Sequence, residues 1–343
     1  MRTAIIGSGA QGTILGVLAT LRGEDVVLVD TNREHIDAMN ANGATITGQM
    51  DYKNIRVKAV TPDKMTGLYD LVVLICKQTA NSVAIPQAAK FIGPDSAVCT
   101  LQNGVPEEYV AGIIGAERTV GGTVMWGGEQ REPGKVICTT GGEAYMKIDI
   151  GTLSGEYTKA ARMTHEWLKC QGKVEFFPNF IGARWSKLWV NSGLSGMSAA
   201  TGSTYDEICN NEKAVLCVAH IGNEVFRVGE ALGIKLEKVM PLYECSELKF
   251  DDAKGRAHAV AKIRESHTQI GQRASMLVDM QKGRPCEIDY INGHVSDKGK
   301  QAGVPTPFCD TVVRIVREFE AGKRPLPTMA CLDEFVIPDL RAF

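Results

Sequence analysis

Three polar residues recur at helical spacing in the otherwise apolar segment "WSKLWVNSGLS". Lys187, Asn191 and Ser195 are four residues apart, which places them on adjoining positions along one face of a helix. An ammonium group in apolar surroundings loses hydration, and its pKa falls unless an anion compensates. Lys187 is therefore a candidate proton donor. The same spacing also suits a helix face exposed to solvent, so spacing alone leaves both interpretations open.

A second candidate group lies in "RASMLVDMQKGRPCEIDYINGHV", which contains Ser275, Asp279 and Glu287. Glu287 follows Pro285 at the predicted start of a helix, where the helix dipole favours a carboxylate. A carboxylate at this position can cap the helix or take part in catalysis. The sequence does not choose between these two roles.

A glycine-rich loop near the N-terminus is a candidate dinucleotide site, because a G-x-G-x-x-G pattern follows a predicted strand and opens an apolar helix. The first glycine permits a tight turn, the second lets the backbone approach a pyrophosphate, and the third allows close packing of helix on strand. Unpaired N–H groups at the helix N-terminus favour the phosphates. The predicted cofactor-binding residues of this loop are Gly7, Ser8, Gly9, Ala10, Gln11 and Gly12.

The end of the second predicted strand carries an acid, Asp30, 23 residues after Gly7. An acid there can accept hydrogen bonds from the adenosine ribose hydroxyls. Its carboxylate would repel the 2′-phosphate of NADP, although Arg33 could partly compensate, so Asp30 favours NAD. Alternatively, Asp30 only caps a turn before "TNREHI", which would suit either cofactor.

Two further polar side chains follow buried strands: Lys77 comes after "LVVLIC" and Asn103 after "AVCTL". Ligands bind at the carboxyl ends of strands in a doubly wound sheet, so Lys77 should meet a phosphate or carboxylate of the cofactor or substrate. Asn103 can hold a ribose hydroxyl or a substrate oxygen without adding charge. The alternatives are a lysine that snorkels at a strand end and a plain Asn-Gly turn.

The elements that would position these residues indicate an α/β fold, a Rossmann doubly wound sheet at residues 1–179 followed by an all-helical domain at 180–343. Segment 134–151 is predicted to be an antiparallel pair, with its turn at "GG", that closes the first domain. The predicted strands are Thr3–Ile6, Val26–Val29, Leu71–Ile75, Ala97–Leu101 and Thr119–Met125. The predicted helices are the segment "FIGARWSKLWVNSGLSGMSAATG" and residues 211–233, 256–282, 287–302 and 307–321.

Composition excludes several classes of protein. The 343 residues carry a net charge of −2, which gives no electrostatic case for nucleic acid or for an anionic membrane surface. No apolar stretch approaches the length of a membrane span, and the N-terminus enters a strand directly, so we expect a cytoplasmic protein. The ten cysteines are scattered singly, which favours reduced, mostly buried thiols over a metal site.

Six motifs, in this order, resemble those of the ketopantoate reductases, also called 2-dehydropantoate 2-reductases. They are "GSGAQG", "CKQT", "LQNG", "WSKLWVN", "SMLVD" and "EIDYINGHV", followed by "GVPTP", and they extend over nearly the whole chain. The later motifs are far more specific than the glycine pattern. The resemblance implies a Rossmann domain, a helical domain like the C-terminal domain of 6-phosphogluconate dehydrogenase, and an active site in the cleft between them.

The resemblance also implies an activity, the NAD(P)H-dependent reduction of a 2-oxo acid to a 2-hydroxy acid, with ketopantoate as the default substrate. Lys187 would be the general acid, and Glu287 would bind the resulting hydroxyl and orient Lys187. No metal is required, and a homodimer is the expected assembly. The residues expected to bind substrate or cofactor are Asn191, Ser195, Ser275, Lys77 and Asn103.

The sequence departs from the family pattern at three places. Ser195 stands where the family commonly has a second asparagine that contacts the substrate. A charged stretch before "SMLVD" is longer than usual, and its Arg256 or Arg264 would bind a more acidic substrate if it reached the cleft; a solvated helix is the alternative. Asp30 is the third departure, because ketopantoate reductases usually prefer NADPH.

Two other functions fit the same fold. An opine-type or other imino-acid dehydrogenase would require an amine co-substrate. A dinucleotide-binding regulator without turnover would need no proton donor, so the complete set of Lys187, Asn191, Ser275 and Glu287 counts against it.

Overall fold

The structure is a computed structural model of the chain, and it describes residues 1–124, 126–139, 142–143, 146–238, 244–266 and 271–340, apart from the side chain of Ser246. The chain forms two compact units. The sheet unit comprises residues 1–102 and 106–180, and the helical unit comprises residues 103–105 and 181–343. The roles predicted for the two domains, dinucleotide binding and substrate binding, stay predictions.

The strands of the described residues all belong to the sheet unit. They are β1 Arg2–Ile6, β2 Asp25–Val29, β3 Ala44–Gly48, β4 Tyr52–Ile55, β5 Lys58–Val60, β6 Tyr69–Leu74, β7 Ile92–Thr100, β8 Thr119–Val124, β9 Gly128–Glu132, β10 Lys135–Cys138, β11 Lys147–Gly151 and β12 Lys173–Phe176. The main sheet has the order β12-β11-β8-β7-β6-β1-β2-β5. Its pairs are parallel except β8 with β11. The order β5-β2-β1-β6-β7-β8 confirms the predicted doubly wound sheet.

Helices cover both faces of this sheet. Those of the sheet unit are α1 Ala10–Leu21, α2 Arg33–Asn42, α3 Asn81–Ala88, α4 Glu107–Ile114 and α5 Lys159–Leu168. Alternate residues of each strand enter different cores, as the two-residue period of a strand requires. Ile5 of β1 belongs to the core that includes α1 and α5, while Ala4 and Ile6 belong to the core that includes α3 and α4.

A second sheet, with the order β4-β3-β10-β9, packs against α1. The predicted hairpin over 134–151 is wrong because its two strands belong to different sheets. β10 pairs with β3 and β9 in the second sheet, whereas β11 pairs with β8 and β12 in the main sheet. Both strands have apolar residues to bury, and each finds a different partner. Met125 and Gly141, at the ends of predicted elements, lie outside the described residues.

The helical unit confirms the predicted helical half. Its helices are α6 Phe180–Val190, which begins at the boundary, α7 Gly196–Thr201, α8 Tyr205–Asn210, α9 Glu212–Ala231, α10 Ala253–Ser266, α11 Ser275–Gln281, α12 Asn292–Ala302 and α13 Pro307–Glu320. Within the described residues none of the helices is long and apolar enough to cross a membrane. Leu332 and Phe335 are buried in the core of this unit, so the segment that carries them packs on the helices.

Two helix predictions need correction. The predicted continuous helix 256–282 is interrupted, because Gly271 has a left-handed φ of 76° and residues 272–274 are not helical. Residues 267–270, including His267, lie outside the described part of the chain. The predicted helix 287–302 begins later, since α12 starts at Asn292 after a short 3-10 turn, Ile288–Tyr290.

Candidate active site

The three glycines of the N-terminal loop differ in how close the surrounding atoms are. Gly7 has φ of 97°, and a Cβ there would lie 2.3 Å from the backbone nitrogen of Cys76. A Cβ on Gly12 would lie 2.4 Å from the carbonyl oxygen of Gly7, whereas one on Gly9 would meet no atom within 4 Å. The first and third glycines are thus required by the fold, and the second leaves its backbone open. This arrangement fits a pyrophosphate at the N-terminus of α1.

The polar side chains of this loop make hydrogen bonds within the sheet unit. Ser8 is fully buried and its hydroxyl donates to the carbonyl of Ile5 at 3.3 Å. The side-chain amide of Gln11 donates to the carbonyl of Trp126 at 2.9 Å. Ala10 begins α1. The loop therefore offers its backbone, rather than its side chains, to a ligand.

A cavity of about 240 Å³ adjoins the glycine-rich loop. It opens at the carboxyl ends of β1 and β2, where a doubly wound sheet binds nucleotides. Its lining is mainly apolar, and Asp30 supplies the acidic side chain. The lining residues are Ile6, Gly7, Val29, Asp30, Thr31, Pro62, Met65, Cys76, Ala80, Val83, Ala84 and Gln87.

Asp30 both caps a turn and lines the cavity. One of its carboxylate oxygens accepts a hydrogen bond from the backbone N–H of Asn32 at 2.9 Å, so it does cap the turn before α2. It also lines the cavity. Arg33 is exposed at the first position of α2 and lies near Asp63, whose pKa is lowered by a hydrogen bond with Thr61 and by the Arg33 charge.

Lys77 and Asn103 follow β6 and β7, as predicted, and both side chains are half-buried. Asn103 belongs to the helical unit, whereas Lys77 belongs to the sheet unit. A buried amide that the sequence analysis missed organises the loop of Lys77. Gln102 donates to the carbonyl of Cys76 at 2.8 Å and to the side-chain oxygen of Asn81 at 2.6 Å. The only sequence signal for it was its place inside "LQNG".

In the helical unit, the helix of Lys187 is not a regular α-helix throughout. After α6, residues Asn191–Ser195 form a π-helical turn that leads directly into α7. In an α-helix, residues four apart drift around the axis, because 3.6 residues make one turn. A π turn holds more residues per turn, so it opposes that drift and keeps Ser195 closer to the line of Lys187. The predicted helix is present, but it contains a π turn at Asn191–Ser195.

The π turn is held by a side chain from α12. The amide of Asn292 is fully buried and donates to the carbonyl of Ser192 at 3.0 Å. Gly196 makes room for it, because a Cβ there would lie 2.6 Å from the side-chain oxygen of Asn292. Asn292 is part of "EIDYINGHV", but no sequence pattern indicated which carbonyl it would contact. Such turns occur frequently at functional sites.

The remaining predicted substrate residues lie around this turn. Lys187 and Asn191 are half-buried, and Ser195 is buried with its hydroxyl 2.8 Å from that of Tyr205. Burial raises the pKa of Tyr205, against the opposing hydrogen bond from Ser195, so its phenol is neutral. Ser275 is exposed at the first position of α11, the helix that packs against the π turn and α7.

Glu287 is almost completely buried, unlike a simple surface cap. It precedes the 3-10 turn that leads into α12, and its carbonyl accepts from the backbone N–H groups of Tyr290 and Ile291. The structure thus places this carboxyl on the chain segment whose Asn292 contacts the π turn.

A buried acid in α9, Glu224, was not predicted from the sequence. Glu224 accepts hydrogen bonds from the backbone N–H groups of Phe308 and Cys309, at 2.8 and 2.9 Å, and so caps α13. Burial raises the pKa of Glu224 to about 8, although these hydrogen bonds oppose the shift. The amide of Asn292 also lies 3.9 Å from the sulfur of Cys309, which continues the buried polar contacts toward the π turn.

The arginines of the longer charged stretch make contacts that favour the structural interpretation. Arg256 donates to the carbonyl of Pro338 at 2.8 Å. Arg264 donates to the carbonyl of Cys209 at 2.9 Å and to Glu212 at 2.8 Å. Both guanidinium groups serve to fasten α10 to its own unit.

All ten cysteines are free thiols and eight of them are buried, as expected for reduced residues. Burial raises the pKa of several, for example that of Cys170 to about 12, which keeps the thiol protonated. Among the described residues, no group of three or more His, Cys, Asp or Glu side chains is arranged to hold a metal ion.

A doubly wound sheet with an open glycine-rich loop, followed by a helical unit with a half-buried lysine on a buried helix, defines the class of Rossmann-fold oxidoreductases with a helical C-terminal half. Comparison with known proteins agrees. The family model "Ketopantoate reductase PanE/ApbA" matches residues 3–152, and "Ketopantoate reductase PanE/ApbA C terminal" matches residues 179–320.

Relatives and solved structures cover the chain almost completely. The 2-dehydropantoate 2-reductase of Mesorhizobium japonicum is 26% identical in an alignment of 340 residues that covers 92% of this chain and 97% of the relative. That of Pyrococcus horikoshii is 30% identical over 314 residues, 90% and 94% of the two chains. The ternary structure of D-mandelate dehydrogenase with NADH and anilino(oxo)acetate has a TM-score of 0.80 at 25% identity, and covers 94% of this chain and 99% of that one.

The chain belongs to the ketopantoate reductase family. It is an NAD(P)-dependent oxidoreductase acting on CH–OH groups, and its cofactor is a nicotinamide dinucleotide.

Proposed function

We propose that the protein reduces a 2-oxo acid to the 2-hydroxy acid, with ketopantoate as the default substrate. The observation that carries the proposal is the half-buried Lys187 on α6, within a chain whose two halves both match the family. A primary ammonium in this environment suits the reaction, because reduction places negative charge on the carbonyl oxygen.

The residues of this chain would divide the work as follows. The reduced nicotinamide, when bound, supplies hydride to the carbonyl carbon. Lys187 donates a proton to the carbonyl oxygen from its Nζ atom, and Glu287 accepts a hydrogen bond from the hydroxyl that forms. Asn191 and Ser275 hold the acid by hydrogen bonds, so that the carbonyl faces the ammonium. Lys77 and Asn103 position the cofactor and the substrate.

A second candidate substrate class follows from Ser195. The family commonly has an asparagine there, and the shorter hydroxyl is already hydrogen-bonded to Tyr205 at 2.8 Å. This difference favours a 2-oxo acid with a side chain other than that of ketopantoate. Mandelate, the substrate named for one of the similar structures, is itself a 2-hydroxy acid.

The cofactor we propose is NADH rather than NADPH. Asp30 lines the cavity next to the glycine-rich loop, and a 2′-phosphate on the ribose would meet its carboxylate. Arg33, the cation that could compensate, lies near Asp63. The D-mandelate dehydrogenase structure was solved with NADH, which agrees with this choice. A homodimer, expected from the family, and a cytoplasmic location, expected from the sequence, stay predictions.

The proposal is tested by a panel of 2-oxo acids assayed with NADH and with NADPH, with and without amines. We expect oxidation of NADH with ketopantoate or another branched or aromatic 2-oxo acid, and a higher kcat/KM with NADH than with NADPH. Turnover that requires an amine would instead identify an imino-acid dehydrogenase. Dinucleotide binding without any turnover would identify a regulator.

A further inference from the structure

His35, in the first turn of α2, is a completely buried imidazole whose two nitrogens both have partners. The backbone N–H of Gly134 donates to Nδ1 at 2.9 Å. The hydroxyl of Thr13 lies 3.0 Å from Nε2. A buried histidine can be a plain core residue, but here each contact reaches a different element of the sheet unit.

The hydrogen bonds determine the tautomer of this ring. Nδ1 accepts from Gly134, so in the neutral imidazole the proton is on Nε2, which donates to the Thr13 hydroxyl. The Thr13 hydroxyl in turn donates to the carbonyl of Ser8 at 2.8 Å. Burial lowers the pKa of His35, although Asp30 and the backbone of Ser8 oppose the shift.

The chain of contacts ends in the glycine-rich loop. Ser8 lies between Gly7 and Gly9, the glycine whose backbone is open for a ligand. Fixing the Ser8 carbonyl fixes the orientation of the peptide plane that also carries the N–H of Gly9. N–H groups in this loop and at the start of α1 are the ones that bind phosphate in such sites.

At its other end, this series of hydrogen bonds reaches the second sheet. Gly134 lies in the turn between β9 and β10, with a left-handed φ of 75°. The segment that leads into this sheet contacts α1 as well, because Gln11 donates to the carbonyl of Trp126. Gly128, the first residue of β9, lies close to Ala10, since a Cβ on Gly128 would lie 3.2 Å from that of Ala10. The β9–β10 strands are therefore built against the start of α1.

We propose that His35 is a positioning residue for the cofactor: through Thr13 it holds the peptide after Ser8 in the orientation that binds the pyrophosphate, and it anchors this loop to the second sheet. The inference rests on the proposed use of the loop for a dinucleotide. It also assigns a role in positioning the cofactor to the second sheet.

Two pairs of variants separate positioning from general stability. Thr13→Val keeps the shape and removes the hydroxyl, whereas Thr13→Ser keeps the hydroxyl. His35→Asn can offer an acceptor near Nδ1 but cannot reach Thr13, while His35→Gln can offer a donor near Nε2. Ile148→Val, in β11 away from the loop, is the control for loss of stability alone.

The measurement is the dissociation constant of NADH, by fluorescence titration, together with thermal unfolding and the KM of the 2-oxo acid. We expect Thr13→Val and His35→Asn to bind NADH about tenfold more weakly, as leaving a buried polar group unpaired would allow. Thr13→Ser and His35→Gln should stay much closer to the wild type, and the KM of the acid should change little. Ile148→Val should unfold at a lower temperature with unchanged NADH affinity.

Wild-type NADH affinity in Thr13→Val would overturn the inference while leaving the proposed function intact. Equal loss of affinity in His35→Gln and His35→Asn would also overturn it, because it would show that only the fit of the ring matters. Failure of the wild-type protein to bind either dinucleotide would overturn both proposals. If a His35 variant fails to fold, the NADH affinity of the Thr13→Val variant still tests the inference.

Discussion

The candidate sites of the two units consist of different kinds of chemical group. In the sheet unit the site is largely backbone: the side chains of Ser8 and Gln11 are used internally, and the open position is the backbone at Gly9. In the helical unit the site is made of side chains on one helical path, with Lys187 on α6 and Ser195 at the end of a π turn.

This difference determines which substitutions should disrupt each site. A backbone site depends on steric room, so a single added methyl group decides whether the loop can form or can bind. A side-chain site depends on the direction in which each group points, so it needs hydrogen bonds that hold the helix in an unusual turn. In the sheet unit, different glycine substitutions should therefore affect either folding or NADH binding. In the helical unit, substitutions should lower kcat without changing NADH affinity.

The largest effect is expected for Lys187→Ala. Removing the ammonium would take away the proposed proton donor but no proposed cofactor contact, so kcat should fall by roughly 10²–10⁴-fold while the NADH dissociation constant stays nearly unchanged. Steady-state kinetics and NADH titration measure the two quantities. A variant with wild-type kcat would remove Lys187 from the mechanism, and lost NADH affinity would contradict the separation of binding from turnover.

The next effect contrasts two glycines of one loop. Gly12→Ala would place its Cβ 2.4 Å from the carbonyl oxygen of Gly7, so we expect a large drop in unfolding temperature and no measurable NADH binding. Gly9→Ala meets no protein atom within 4 Å, so its unfolding temperature should match the wild type while NADH affinity falls about tenfold. Unchanged NADH affinity in a folded Gly9→Ala variant would argue against pyrophosphate binding at this loop.

A smaller effect is expected for Asn292→Leu, which leaves the Ser192 carbonyl of the π turn without its donor. Stability should fall by about 1–3 kcal/mol. Because the turn orients Asn191 and Ser195, kcat should also fall severalfold with unchanged NADH affinity.

The matched control is Asn223→Leu. The amide of Asn223 donates to the carbonyl of Phe250 at 2.9 Å, a buried bond of the same type whose acceptor is not a residue of the π turn. Its loss should lower stability and leave kcat intact. Equal loss of kcat in both variants would show that the π turn has no special role.

The sequence predicted the sheet unit better than it predicted the details of the helical unit. Gly7 and Gly12 belong to a motif that is recognisable in the sequence, and the alternation of strands and helices favours a doubly wound sheet. The pairing of β10 and β11 was not predictable in this way, because strands with similar patterns can join either sheet. Contacts over long separations, such as those of His35 with Gly134 and of Asn292 with Ser192, leave no periodic signal.

In the helical unit the residue types were more informative than their spacing. The motifs around Lys187 and Glu287 identified the family, whereas the spacing suggested a regular α-helix. The π turn arises from tertiary contacts, with Gly196 admitting the amide of Asn292, and a pattern of apolar residues does not record it.

The central claim, that the Lys187 ammonium protonates the carbonyl oxygen, is tested most directly by a crystal structure with NADH and an unreactive analogue of the preferred 2-oxo acid. The measurement is the distance from Nζ of Lys187 to the oxygen that occupies the carbonyl position. The account predicts about 3 Å, within reach of direct proton transfer. A distance well beyond hydrogen bonding, with another proton donor beside that oxygen, would contradict it.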